Sequence, residues 1–171
     1  MKRFGKVMLI IVSVVIILFL WATWYKYEYS MEEAQQFEVN SKELTQKLLI
    51  ATQGSEFKDT ITNSIVNHYK PDSIFIKVID VSSLTEVQPE NYTAIVLIHT
   101  WENWKPPYVV RQFVERSLDH KNKMIVMTTS GNGTYMMSEV DAITGESNLE
   151  EAPDFVHKIV ARLEPILDKN R

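Results

Sequence analysis

An uncharged, strongly apolar run near the amino terminus limits what this chain can fold into more than any other feature. Residues 7–25 read VMLIIVSVVIILFLWATWY and contain no charged side chain. As an α-helix rising about 1.5 Å per residue, these nineteen residues span about 28 Å, close to the roughly 30 Å hydrocarbon core of a bilayer. Because a backbone in lipid must satisfy its own hydrogen bonds, the run predicts a transmembrane helix.

A cleaved signal peptide is the competing interpretation of this run. The apolar part of a signal peptide is usually about 7–15 residues long and precedes small residues at a cleavage site. Here the run is longer, and Trp21, Trp24 and Tyr25 occupy its far end, where an interfacial aromatic belt would lie. The sequence therefore favours a retained anchor and a single-pass membrane protein.

The basic residues that flank the run predict its orientation. Lys2, Arg3 and Lys6 precede it, whereas Lys26 is the one basic residue that follows closely. Since cytoplasmic flanks carry the excess of Lys and Arg, the amino terminus is expected in the cytoplasm and the soluble domain in an extracytoplasmic position. The predicted division of the chain is a basic terminus at 1–6, the helix at 7–25, a polar stalk at 26–45 and a folded domain at 46–171.

The rest of the chain is acidic and lacks cysteine. The first thirty residues hold four of the 18 basic residues and one of the 22 acidic ones, which leaves 14 against 21, a net charge of −7, from residue 31 onward. A domain with this charge is a poor nucleic-acid binder, because phosphate binding needs a basic face. The absence of cysteine excludes disulfides, thiolate metal sites and cysteine nucleophiles.

Apolar runs alternate with helical patterns along the soluble part. Helices are predicted at 56–69, where Pro71 ends the pattern, and at about 108–119. A last helix is predicted with Ser147 and Glu150 as a possible capping box and Pro153 in its first turns, and Pro165 is expected to kink or end it. The predicted strands are LLIA at 48–51, SIFIKVIDV at 73–81, YTAIVLIHT at 92–100, KMIVMTT at 123–129 and VDAITG at 140–145. Parallel strands need crossovers of about a dozen residues or more, so the shorter link before the fifth strand is expected to lack a full helix.

This order predicts a three-layer α/β sandwich and resembles the flavodoxin-like family. The resemblance is carried by LLIATQGSEFKD, IVLIHTWENWKPP, MIVMTTSGNG and VDAITGES, and it covers about residues 46–171. It implies a five-stranded parallel sheet of order 2-1-3-4-5, with flavin mononucleotide (FMN) bound where the loops 52–58, 100–107 and 129–135 converge. The first loop departs from the hydroxyl-rich T-x-T-G-N-T pattern of flavodoxins, since it keeps two hydroxyls and one glycine.

The first loop has two interpretations. Gly54 would allow close approach of a phosphate to the helix amino terminus, with hydroxyl donors from Thr52 and Ser55 and a positive charge from Lys58. Alternatively, Ser55 is a plain cap, and the acidic side chains of the first turn complement the helix dipole without a ligand.

The other two loops are also open to two interpretations. Trp101 and Trp104, after Thr100, could border a planar ring or a protein partner, or pack as local core. The loop of Thr129, Ser130, Gly131, Asn132 and Gly133 could bind the polar edge of a ring, or form a simple turn.

No catalytic set or metal-ligand spacing is present in the sequence, and the enzyme question stays open. His99 is the one histidine next to the expected cleft. Two functions follow: a membrane-anchored FMN protein for electron transfer, or a non-catalytic flavodoxin-like module that contacts a protein partner through its Trp-rich loop.

Overall fold

The computed structural model describes residues 2–29 and 31–168. Met1, Ser30 and residues 169–171, which fall in the predicted basic terminus, stalk and domain, lie outside the described residues. The chain divides after Met31 into an amino-terminal unit and a compact unit that begins at Glu32.

The amino-terminal unit is one helix, α1, over Lys2–Tyr29. Within the described residues, its segment Phe4–Trp24 is long and apolar enough to cross a membrane by length and composition. The two hydroxyl side chains of this segment bond back to its own carbonyls: Ser13 donates to Leu9, and Thr23 to Phe19 at 2.9 Å. These polar groups are therefore satisfied inside the helix, as a lipid environment requires.

The compact unit is built on a six-stranded sheet. Its strands are β1 (Phe37–Val39), β2 (Gln46–Thr52), β3 (Ile74–Asp80), β4 (Ala94–Thr100), β5 (Met124–Thr129) and β6 (Ala142–Gly145). The strand order is β1-β3-β2-β4-β5-β6, and all pairs except β1–β3 are parallel. The five predicted parallel strands and the order 2-1-3-4-5 are thus confirmed.

Helices cover both faces of the sheet and give the predicted three layers. The helices are α2 (Glu56–Tyr69), α3 (Tyr108–Arg116) and α4 (Ala152–Asp168). Alternate residues of the strands pack against α2 and α4 on one face, and the others against α3 and a short helical segment after β3 on the second face. The central strands β2 and β4 are buried on both faces, which explains their continuous apolar runs.

Helix α2 follows its sequence signals closely. Ser55 caps it by accepting a hydrogen bond from the Lys58 amide at 3.3 Å, and the helix ends two residues before Pro71. The predicted apolar stripe is buried, including Phe57, Ile61 and Ile65. This helix fixes the position of the turn at Gly54 relative to the sheet.

The edge strand β1 corrects the prediction of a five-stranded, all-parallel sheet. It lies in the segment predicted as a stalk and pairs antiparallel with β3, with Glu38 opposite Lys77. Asn40, at a φ of 67°, then donates its side-chain amide to the carbonyl of Ile74 at 2.8 Å. Three residues are too few to display an alternating pattern, so the strand has no recognisable sequence signal.

The connection from β5 to β6 is reduced, as predicted. Residues 130–141, all of which the structure describes, contain no helix. The capping box predicted at Ser147 and Glu150 is wrong: Asn148 accepts the Glu150 amide, and the Ser147 hydroxyl donates to Thr129 Oγ1 at 3.1 Å. The last helix also runs past Pro165 to Asp168.

Two polar side chains are buried next to each other within the sheet. His99 and Thr128 are register partners on β4 and β5, and both are fully buried. His99 Nδ1 lies 3.5 Å from the Thr100 carbonyl, while Nε2 has no hydrogen-bond partner among the described residues. Burial lowers the pKa of His99 to about 4. The contact with the Thr100 carbonyl opposes this shift, and the charge of Lys58 adds to it.

We expect Gly145→Ala to destabilise the compact unit by about 1–3 kcal/mol, because the added Cβ would overlap the ring of Phe155. Gly131→Ala is the matched control, since its Cβ would meet nothing within 4 Å. Urea unfolding followed by circular dichroism measures both variants. Equal losses of unfolding free energy in the two variants would show that the fit between Gly145 and Phe155 is not tight.

We expect His99 to make stability depend on pH between about 4 and 6.5. In this range the unfolded state binds a proton that the folded state excludes, so stability rises with pH and is lost as the pH falls. The slope is at most about 1.4 kcal/mol per pH unit. The free energies of unfolding of wild type and His99→Gln, measured across this range, should diverge towards low pH. The same pH dependence in both proteins would contradict the assignment of the effect to His99.

Candidate functional site

The loops that follow β2, β4 and β5 meet at the carboxyl edge of the sheet. Gln53 joins the first two loops: its Oε1 accepts the Thr100 amide at 2.8 Å, and its Nε2 donates to Glu102 Oε1 at 2.7 Å. Gln53 was not among the predicted site residues, and the one signal for it in the sequence is an amide placed directly after a buried strand.

A chain of hydroxyl groups joins β4, β5 and the segment after β6. Thr100 Oγ1 and Thr129 Oγ1 are 2.8 Å apart, and Ser147 donates to the same Thr129 oxygen. The Trp101 amide also donates to the Thr129 carbonyl at 2.8 Å. The structure therefore brings the three sequence-selected loops together, and it uses Thr100 and Thr129 to hold them.

The turn at Gly54 is covered by the chain's own backbone. We call residues Glu32–Ala34 the strap. The Gly54 amide donates to the Glu32 carbonyl at 2.7 Å, and a Cβ at Gly54 would lie 2.8 Å from the carbonyl oxygens of both Glu32 and Glu33. Ala34 then donates its amide to Asp80 Oδ2 at 2.9 Å. Glycine is thus required at position 54 for the strap to approach, and no sequence pattern signalled this contact.

Carboxylates already surround the amino terminus of α2. Glu56 and Asp59 lie in its first turn, and Glu32 of the strap is close enough to act on Asp59. Partial burial is the main cause that raises the pKa of Asp59; Lys58 opposes the shift, and Glu32 adds to it. The helix dipole is therefore complemented by acidic side chains of the protein itself.

Lys58 is fully enclosed at the centre of this edge. Its Nζ donates to Ser55 Oγ at 3.3 Å, the same oxygen that accepts the Lys58 amide. Burial lowers the pKa of Lys58 to about 8, and the carboxylates of Glu102 and Asp59 oppose this shift. Thr52 is also buried and donates its hydroxyl to the Gln53 carbonyl. The four residues expected to hold a phosphate are thus engaged inside the protein.

The two tryptophans of the second loop have different environments. Trp101 is half-buried, packs against the core on the α3 face and lies over Tyr135, with ring centroids 5.2 Å apart. Trp104 is 76% exposed. The two rings therefore differ in environment, and the expectation that both border one ligand stays a prediction.

Trp104 occupies a strained position in a two-residue turn. Glu102 and Lys105 exchange hydrogen bonds of 2.8 and 3.0 Å, and the two residues between them, Asn103 and Trp104, have φ values of 49° and 59°. A turn with positive φ at both central positions strongly favours Asn-Gly. A left-handed conformation costs a side chain with a Cβ roughly 1–2 kcal/mol, so the turn holds an exposed indole at the expense of stability.

The third loop closes on itself and on β6. The Ser130 amide donates to the Gly145 carbonyl at 3.2 Å, and Asn132 Oδ1 accepts the Thr134 hydroxyl at 2.9 Å. Gly133 has a φ of 65° and lies against the Gly145 backbone, whereas Gly131 faces open space. Part of this loop, at Gly131, is thus available to a ligand or partner.

No group of three or more His, Cys, Asp or Glu side chains that could hold a metal ion occurs in residues 2–29 and 31–168. His99 is enclosed in the sheet rather than open to a cleft. The arrangement has donors, acceptors and aromatic rings for binding, and we find in it no nucleophile paired with a general base.

Comparisons with known proteins concern the fold. No family model matches the chain, and no curated protein matches it. Among solved structures, a flavodiiron core from Synechocystis is 9% identical over 76% of this chain, with a TM-score of 0.50, and the match spans 38% of that protein. A flavodoxin from the domain Archaea is 11% identical over 70% of this chain and 98% of its own, with a TM-score of 0.48. General stress protein 14 of Treponema denticola, solved in complex with FMN, is 11% identical over 71% of this chain and 99% of its own, with a TM-score of 0.45. The strand order, together with the match to the flavodiiron core at a TM-score of 0.50, gives the compact unit a flavodoxin-like fold.

Proposed function

We propose that this chain is a single-pass membrane protein whose flavodoxin-like domain is a binding module that works without FMN. The helix α1 supplies the anchor, and the basic residues before it favour an extracytoplasmic domain. The carboxyl edge of the sheet, with its exposed second loop, supplies the binding surface.

The single observation that carries this proposal is the strap on Gly54. A phosphate at a helix amino terminus is held by free backbone amides. Here the Gly54 amide donates its hydrogen bond to the Glu32 carbonyl, and the carbonyl oxygens of Glu32 and Glu33 lie against the position that a Cβ at residue 54 would take. Carbonyl oxygens cannot donate hydrogen bonds to a phosphate, so this arrangement does not fit the phosphate of FMN.

Electrostatics supports the same conclusion. Glu32, Glu56 and Asp59 place carboxylates around the turn that a phosphate dianion would have to enter. Lys58 provides the opposing charge, but its ammonium group is enclosed and interacts with Glu102 and Asp59. A phosphate would therefore meet more negative than positive charge at this position.

A flavin role is the second candidate, favoured by the convergence of the three loops on one edge. If the strap moved away from Gly54, four residues could hold the phosphate: Thr52, Gly54, Ser55 and Lys58. Trp101 and Trp104 would then border the ring, and Ser130–Gly133 would face its polar edge. FMN would supply one- or two-electron transfer, and these residues would bind and orient it.

Titration of the detergent-solubilised full-length chain with FMN separates the two functions. We expect the fluorescence of FMN to stay unchanged up to micromolar protein, because the strap and the carboxylates exclude its phosphate. Saturable quenching by the wild-type chain would overturn the proposal of a flavin-free module.

A strap variant makes the same titration sharper. Asp80 accepts the amides of both Ala34 and Ser82, and Asn has one oxygen for the two donors, so Asp80→Asn should weaken the strap. We expect this variant also to leave FMN fluorescence unchanged, because the carboxylates of α2 remain. Quenching by Asp80→Asn alone would support a flavin site gated by the strap.

A further inference from the structure

The turn Glu102–Lys105, which we call the Trp104 turn, combines two features that oppose stability. Its second central residue has a φ of 59°, where glycine is favoured, and that residue is a tryptophan. The indole is 76% exposed, the highest exposed fraction among the large hydrophobic residues described in the compact unit. A side chain that is both strained and unburied contributes little to the stability of the fold, which makes Trp104 a candidate for a contact outside the domain.

The chemistry of the turn matches the boundary between water and lipid. Tryptophan and tyrosine are enriched at this boundary, because each combines an apolar ring with a polar group. Tyr108 follows the turn and is also exposed, and Lys105 adds an exposed cation that suits lipid phosphates. The carboxylate of Glu102 is bonded to Gln53, which directs this acidic group towards the neighbouring loop.

The linker length sets an upper limit on the distance between the apolar segment and the first residue of the compact unit. Seven residues separate Trp24, at the end of the apolar segment, from Glu32, so the chain between them reaches at most about 29 Å. Glu32 is bonded to Gly54, and the adjacent Gln53 is bonded to Glu102 of the Trp104 turn. The anchor is therefore attached at the same sheet edge that carries the exposed indole.

We propose that Trp104 inserts into the headgroup region of the membrane that holds α1. The inserted indole gives the domain a second, reversible point of attachment and orients its carboxyl edge towards the lipid surface. This inference rests on the membrane anchorage in the proposed function and is independent of the presence of flavin. It differs from the protein partner expected from the sequence, because lipid alone supplies the contact.

A fluorescent probe next to the indole tests the contact in the full-length chain. Because the chain has no cysteine, Asn103→Cys provides a unique site for an environment-sensitive nitrobenzoxadiazole label and leaves Trp104 in place. The labelled chain is reconstituted in phosphatidylcholine nanodiscs, with and without nitroxide-labelled lipid. Leu118→Cys is the matched control, since Leu118 is 43% exposed and lies before the amino end of β5, at the opposite edge of the sheet.

We expect the label at position 103 to emit at shorter wavelength in nanodiscs and to be quenched by the nitroxide lipid, while the label at 118 is not. Adding Trp104→Ala to Asn103→Cys should abolish the quenching. A label at 103 that is accessible to aqueous iodide and unquenched by lipid would overturn the inference. Shielding that appears only after a soluble protein is added would also overturn it, in favour of a protein partner.

Two further measurements separate the premises. Retention of the chain in nanodiscs at alkaline pH tests the anchor. An anchored chain with an unquenched label refutes the Trp104 contact alone, and loss of the chain refutes both the anchor and the contact.

We also expect Trp104→Gly to have a Tm a few degrees higher than Trp104→Ala, because both remove the indole but only glycine relieves the strained φ. Equal Tm values would refute the strain on which the inference is based.

Discussion

The hydrogen bond from the Gly54 amide to the Glu32 carbonyl determines how the carboxyl edge of this sheet can be used. It forms because glycine leaves room for the strap, and it consumes a donor that an anion at the helix terminus would need. The same bond, together with the Ala34 contact to Asp80, fixes the beginning of the compact unit against β2 and β3. The first residues of the compact unit are consequently part of the candidate site.

The rest of the edge is held by polar groups that satisfy one another. Gln53, Thr100, Thr129 and Ser147 link four neighbouring segments, and Lys58 provides an enclosed cation near Glu102. A network of this kind rigidifies the loops, because each buried polar group would be costly to expose without its partner. The consequence is a preorganised surface from which the Trp104 turn projects.

Much of the fold could be predicted from local patterns, because apolar runs and helical stripes report directly on burial. The stripe of α2, its stop before Pro71 and the missing helix before β6 are examples. The strap could not be predicted, since it contributes only main-chain atoms to its hydrogen bonds with Gly54 and Asp80 and so leaves no side-chain signature of its own. In the sequence, Trp101 and Trp104 also look equivalent. In the structure Trp101 packs on Tyr135 and Trp104 occupies a left-handed turn position, a difference that depends on backbone conformation.

The short strand β1 has a consequence for how copies of this chain can associate. Without it, β3 would present a row of unpaired amides and carbonyls, a template for pairing with another sheet. β1 pairs with Ile76–Val78, and the side-chain amide of Asn40 donates a hydrogen bond to the Ile74 carbonyl beyond this pairing. The new edge strand is only three residues long and so offers few main-chain groups to a neighbouring sheet, which limits edge-to-edge pairing between copies of this chain.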